Sequence, residues 1–237
     1  MTMTNVALLE TEKLSVFYDQ LRAVREVDLR VDEGEIVSII GANGAGKSSL
    51  MKAVVGQANI KSGAVRLRGM DLREMPTSEI VQHGVVLVPE GRRLFPSLSV
   101  LENLNIGWEL GRKGAIDMAQ ILSWFPALRE LKDRKARALS GGQQQMVALG
   151  RALLTNPSLL LCDEISLGLA PVIINELYET LLSIRQRGIG IVIVEQDVSR
   201  SLAVADRFYC FLEGAVSLTG RPADTNRETV MQHYFGV

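Results

Sequence analysis

The sequence predicts an α/β protein: a parallel sheet covered by helices, with an antiparallel β-lobe and an inserted helical lobe. Three observations predict it. Four apolar, β-branched runs, Glu35–Ile40, Val85–Val88, Leu159–Cys162 and Ile189–Val194, read as buried strands. Helical patterns separate the later runs, and strands alternating with helices imply right-handed crossovers in one parallel sheet. Residues 99–157 contain no such run and read as helical.

Taken in order, residues 6–31 alternate as short strands. Val27, Leu29 and Val31 oppose Asp28, Arg30 and Asp32. Asp32-Glu33-Gly34 is a turn, the next run ends at Gly41, and Ser48–Val55 follows as a helix. Residues 63–68 read as an edge strand. Ser99 and Glu102 form a capping box that opens a helix. Pro96, Gly111, Gly114 and Pro126 break this stretch into short pieces. A single domain fits 237 residues. Its core and β-lobe are expected at about 1–90 and 157–237, its helical lobe at about 91–156. Trp108 and Trp124 are expected in the core of that lobe, with Met146, Val147 and Leu149 on a buried helix face. Val230, Met231, Tyr234 and Phe235 at helical spacing predict a docked terminal helix.

Composition excludes several classes. The 26 Lys and Arg nearly cancel the 27 Asp and Glu, so non-specific nucleic-acid binding is not expected. The longest apolar runs are far shorter than the about 20 residues a spanning helix needs. The N-terminal MTMTNVALLETEK lacks the basic start and long apolar stretch of a signal peptide. Cys162 and Cys210 sit in apolar runs and read as core thiols, so the simplest compartment is the cytosol. No residue cluster has protein-only metal spacing, and the lone His83 and His233 read as surface or packing residues.

The chemistry starts at Gly41-Ala42-Asn43-Gly44-Ala45-Gly46-Lys47-Ser48. This fits GxxxxGK[ST], placed between a buried strand and a helix as the motif requires, and makes the core a P-loop (RecA-like) fold. The glycines let successive N–H groups turn toward phosphate oxygens, and the helix start adds its positive end. Lys47 suits β- and γ-phosphates, and the Ser48 hydroxyl suits Mg²⁺. Ser49 completes the phosphate-binding segment. Asp163, at the end of a buried strand, can hold Mg²⁺ through water or Ser48, and Glu164 can orient or deprotonate an attacking water. A second motif, Leu139-Ser140-Gly141-Gly142-Gln143, opens a helix running to about Leu154. Ser140 and Gln143 make a capping box. Two glycines there cost about 1 kcal/mol each against Ala, which suggests a ligand close to the backbone.

Together these motifs resemble the ATP-binding-cassette (ABC) transporter ATPases over essentially the full length. Ser140–Gln143 matches that family's signature and falls between its two phosphate-site motifs. The resemblance implies ATP and Mg²⁺ as ligands, with Tyr18 stacked on adenine. It also implies a head-to-tail dimer, with itself or a sister ATPase, in which the signature closes on the partner's ATP.

Departures point to one branch. Glu90 stands where the family has Gln, Gln196 where it has His, and Ile165 where it has Pro; Ser166–Pro171 replaces the usual Ala-Leu-Asp turn. VPEGRRLF, SLGLAP, VEQ and the HYFG tail resemble the second ATP-binding subunit of high-affinity branched-chain amino-acid importers, with urea and short-amide importers as close relatives. The branch leaves Ile165 unexplained. Glu90 is expected to face Mg²⁺ and the attacking water, and Gln196 to donate to the γ-phosphate without titrating. The implied function is ATP hydrolysis at the cytosolic face of the membrane, driving import through permease subunits fed by an external binding protein. The permease's short helix is expected in the groove between the Glu90 loop and the helical lobe. A soluble cassette acting on DNA or ribosomes, or a nucleotide binder without turnover, are the rival readings.

Overall fold

The computed structural model describes residues 6–236, so the first five residues of the N-terminal stretch MTMTNVALLETEK lie outside it. In chain order the elements are β1 (Leu9–Tyr18), β2 (Leu21–Val31), β3 (Ile36–Gly41), α1 (Lys47–Val54), β4 (Ile60–Leu67), β5 (Met70–Asp71), α2 (Thr77–Gln82) and β6 (Val85–Val88). Four helices follow: α3 (Val100–Leu110), α4 (Met118–Trp124), α5 (Ala127–Leu131) and α6 (Gly141–Leu153). The chain closes with β7 (Leu159–Asp163), α7 (Pro171–Arg185), β8 (Gly190–Glu195), α8 (Val198–Val204), β9 (Arg207–Leu212), β10 (Ala215–Gly220) and α9 (Arg227–Phe235).

The strands make two sheets. One is antiparallel, in the order β2-β1-β4-β5. The other runs β10-β9-β3-β8-β7-β6, parallel except for the β9–β10 pair. Because side chains alternate along a strand, each parallel strand feeds two cores. Val86, Val88, Leu160, Cys162, Ile191 and Ile193 join one apolar cluster with residues of α3 to α7. Val85, Leu159, Leu161, Val192, Val194, Val37 and Ile39 face the other way, onto α1 and the antiparallel sheet. Burial on both faces explains why these strands read as unbroken apolar runs. A third, smaller cluster packs Val198 of α8 and Val230 of α9 against Phe208 and Cys210 of β9.

The antiparallel strands are longer than their sequence suggests. β1 and β2 pair along nearly their whole length, with register shifts near Leu14 and Val16 that no periodicity announces. The strand expected at 63–68 begins at Ile60 and has only the two-residue β5 outside it. Both expected capping boxes form, at Ser99 and at Ser140. Among the described residues no helix is long and apolar enough to cross a membrane.

Trp108 corrects an expectation. It is 51% exposed, because α3 turns Val100, Asn103, Leu104 and Gly107 inward and leaves Trp108 at the margin of that buried face. Trp124 is half-buried, with the Arg187 guanidinium 5.1 Å from its ring centre. Ile165 finds its explanation here. It is 1% exposed and belongs to the same apolar cluster as Ile174, Leu177 and Tyr178 of α7, so the turn after β7 is anchored by a core side chain.

Candidate functional site

β3 lies between β8 and β9: the chain runs from β3 to the far edge at β6, returns through β7 to β8 and then crosses to β9, and a crevice opens beyond the carboxyl end of β3. A cleft of about 890 Å³ occupies that place. Asn43, Gly44, Ala45, Gly46, Lys47, Ser48 and Ser49 line it, together with Tyr18, Glu90, Glu164 and Gln196. The structure thus brings most of the sequence-derived residues into one site. Tyr18, 40% exposed, stands at the end of β1. Leu21, Arg22, Ala23, Arg25, Glu213 and Gly214 also line the cleft and were not anticipated. They come from the β-lobe and the β9–β10 turn, whose approach depends on tertiary packing alone.

The loop between β3 and α1 is held from outside. Ala45 O accepts from Gly214 N–H at 3.0 Å, and Ala45 N–H donates to Ala42 O at 3.1 Å. Gly46 is left-handed at φ 100°, and a Cβ there would lie 2.3 Å from Ala23 O. No side chain caps α1, although its first turn leaves N–H groups without intrahelical partners at the cleft wall. Lys47 is 4% exposed, and its Nζ donates to Gly41 O at 2.7 Å and Ala42 O at 2.9 Å. Burial lowers its pKa, while the charges of Glu164 and Asp163 oppose that shift.

Ser48 Oγ donates to Asp163 Oδ1 at 3.0 Å. Burial raises the Asp163 pKa; the Ser48 hydrogen bond works against this, and the negative charges of Glu164 and Glu90 reinforce it. Glu164 follows with φ 49°, its N–H donating to Val194 O at 2.9 Å. Gln196 Nε2 donates to Glu164 Oε2 at 2.7 Å. Gln196 therefore holds the candidate base itself, a partnership the spacing of the two residues does not reveal.

A divalent cation fits this set. Acidic groups crowd Asp163 in a way that a positive charge relieves, and a hydroxyl and a carboxylate are suitable oxygen ligands. Among the described residues no three acidic, His or Cys side chains converge as a metal site. Further ligands would have to come from phosphate, which is how Mg²⁺ is usually held.

Residues 140–143 lie outside this cleft. Ser140 Oγ accepts from Gln143 N–H at 3.3 Å, and the Gln143 side chain accepts from Ser140 N–H at 2.9 Å. A Cβ on Gly142 would meet Ile173 Cγ2 at 2.9 Å, and one on Gly141 would meet the Arg92 guanidinium at 3.0 Å. Close packing inside the chain accounts for Gly142, so the cost of its glycine does not by itself imply a ligand. Two further polar residues escaped the sequence reading. Buried Glu195 accepts from Ser166 through both carboxyl oxygens. An acid ending an apolar strand gives no signal of such a role.

Residues 24–166 match the ABC transporter family model. The chain belongs to the ABC transporter family. This ABC cassette is 41% identical over 233 residues to BraG of Pseudomonas aeruginosa, a high-affinity branched-chain amino acid transport ATP-binding protein, covering 97% of this chain and 100% of that one. It is 31% identical over 236 residues to LptB of Haemophilus influenzae, a lipopolysaccharide export system ATP-binding protein, covering 98% of each. The ADP conformation of MJ1267, an ATP-binding cassette of an ABC transporter, superposes with a TM-score of 0.80 at 27% identity, covering 98% and 99% of the two chains. The cassette is an ABC-type ATPase.

Proposed function

We propose that this cassette hydrolyses ATP to drive uptake of branched-chain amino acids through separate membrane permease subunits, bound peripherally at the cytoplasmic face of the membrane. The likeness to BraG supports the solute class. One observation carries the chemistry: the glycine loop and the Gln196–Glu164 pair, bonded at 2.7 Å, line the same cleft. The N–H groups of residues 41–49 and the Lys47 ammonium bind the phosphates, and Tyr18 supports the base. Glu164 takes a proton from the attacking water through the oxygen that Gln196 leaves available. The second amide hydrogen of Gln196 serves the γ-phosphate. Ser48 and Asp163, with Glu90 at the same cleft, would hold Mg²⁺, whose charge offsets that of the phosphates.

Nucleotide sits between two cassettes packed head to tail, in which Ser140, Gly141, Gly142 and Gln143 face the partner's γ-phosphate. Support comes from position. Ser140 is exposed at a helix N-terminus suited to anions, yet lies outside its own chain's cleft. The helical lobe, about residues 91–156, presents the permease site. Val81, Leu87, Pro89, Ile106 and Leu110 line a groove beside the Glu90 loop that fits a short apolar helix. An external binding protein delivers the solute, and no nucleic acid takes part.

A urea or short-amide importer would use the same chemistry, since the site reads nucleotide and not solute. Reconstitution separates the two. ATP hydrolysis by the cassette with its permease subunits should rise when leucine-loaded binding protein is added. Stimulation by urea or a short amide in place of leucine would transfer the function to that branch.

A further inference from the structure

Four hydrogen bonds tie the turn after β7 to the end of β8. Two are already described: Glu164 N–H to Val194 O at 2.9 Å, and Gln196 Nε2 to Glu164 Oε2 at 2.7 Å. The other two run through a carboxyl group with no role so far. Ser166 N–H donates to Glu195 Oε1 at 3.2 Å, and Ser166 Oγ donates to Glu195 Oε2 at 2.7 Å. The two strands are thus laced alternately, with each residue from 164 to 166 that carries a polar side chain bonded to one at 195 or 196.

Glu195 is a costly way to end a strand. It is 3% exposed, and burial raises its pKa, opposed chiefly by the two Ser166 bonds. A well-packed apolar residue there would serve stability at least as well. The turn it grips is itself strained, since Glu164 is left-handed, and such a conformation persists only where the surroundings over-determine it. Ile165 pins the turn from the core side, and Ser166 is held from the β8 side.

We propose that Glu195 and Ser166 are positioning residues for hydrolysis. They clamp the turn that carries Glu164, so that its carboxylate stays against Gln196 and in line with the attacking water. This rests on Glu164 being the base. Neither Ser166 nor Glu195 lines the cleft, so removal of the clamp should reduce kcat with little change in nucleotide affinity. A misplacement of about 1 Å at a reacting group costs on the order of 10²-fold. Ser166→Ala and Glu195→Ala should therefore lower kcat by roughly 10- to 100-fold. Ser166→Thr, which keeps the hydroxyl, should recover most of the rate.

The decisive measurement is a double-mutant cycle in full-length protein with its permease, read by single-turnover hydrolysis of labelled ATP. Nucleotide binding and thermal melting are recorded for each variant. If Glu195 acts through Glu164, Glu195→Ala should slow the wild type but add little to Glu164→Gln. Equal slowing in both backgrounds, or wild-type kcat in a folded Ser166→Ala protein, overturns the clamp. Should Glu195→Ala fail to fold, Ser166→Ala and Ser166→Thr carry the same cycle. Wild-type turnover by Glu164→Gln alone would instead overturn the assignment of the base.

Discussion

Two helix starts in this molecule bear glycines, and they bear them for opposite reasons. At α1 the glycine loop is uncapped by any side chain, and Gly46 is left-handed with Ala23 O where a Cβ would stand. Its first-turn N–H groups face a cleft. At α6 the helix is closed on itself by a reciprocal box between Ser140 and Gln143, and Gly142 is small because Ile173 lies on it. The first start leaves those N–H groups without a side-chain cap, an arrangement suited to an anion. The second is stable alone and offers only its outward surface. Composition alone would have equated them.

The largest effect is expected not at either start but at the carboxylate across the cleft that the first start faces. Glu164→Gln should leave ATP binding intact and slow hydrolysis by about 10²- to 10⁴-fold, as loss of a general base does; rapid-quench kinetics with the permease present checks this, and an unchanged rate removes Glu164 from its role. The comparison sharpens at Ser140. Asp caps a helix as well as Ser does, so Ser140→Asp should fold normally while setting a carboxylate where the partner's phosphate is proposed. Like charges at an interface cost several kcal/mol, so ATP-dependent association of the Glu164→Gln protein should weaken about 100-fold or more, with ATP binding by the single chain unchanged. Sedimentation with ATP decides it; association equal to that of the parent ends the proposal that the signature acts across the interface.

Lys47→Ala should raise the Kd for a fluorescent ATP analogue on the order of 10²-fold, since charged hydrogen bonds contribute about 1.5–3 kcal/mol each. Gln196→His is subtler. An imidazole beside the Glu164 carboxylate should titrate above about 6.5, because the negative neighbour favours the charged form. Hydrolysis should acquire a pH dependence in that range, and a profile superimposable on wild type would argue against contact with the reacting centre. Smallest of all is Gly142→Ala. Helix propensity favours it by about 1 kcal/mol, and overpacking against Ile173 costs about 1–3 kcal/mol. A net loss of about 1 kcal/mol should appear in thermal melts and turn into a gain when Ile173→Ala opens the space.

Much of the fold is legible in the sequence. The four buried strands stand within a residue or two of their apolar runs, because strands covered on both faces have no polar alternation to confuse the pattern. The glycine loop and Glu164, which line one cleft, and Asp163, which bonds to Ser48, are picked out in the sequence by residue types at fixed spacing; their roles toward phosphate remain the proposal. What escaped depends on neighbours distant in sequence. Trp108 is left exposed because Val100, Asn103, Leu104 and Gly107 already fill the inner face of α3. Glu195 and Ser166 look ordinary until the two strand ends meet. Ile165, unexplained by its family position, becomes intelligible only beside α7.

The placement of β3 between β8 and β9 has a consequence for synthesis on the ribosome. The glycine loop is translated early, at residues 41–48, but the strands that flank it end at Glu195 and Leu212. At about 5–20 residues per second, the loop waits roughly 10–30 s for its neighbours to leave the exit tunnel. Until β8 has emerged Val37 and Ile39 have no sheet to join. A nascent chain arrested before residue 195 should therefore fail to retain ATP, and capture of nucleotide marks the moment the cassette is whole.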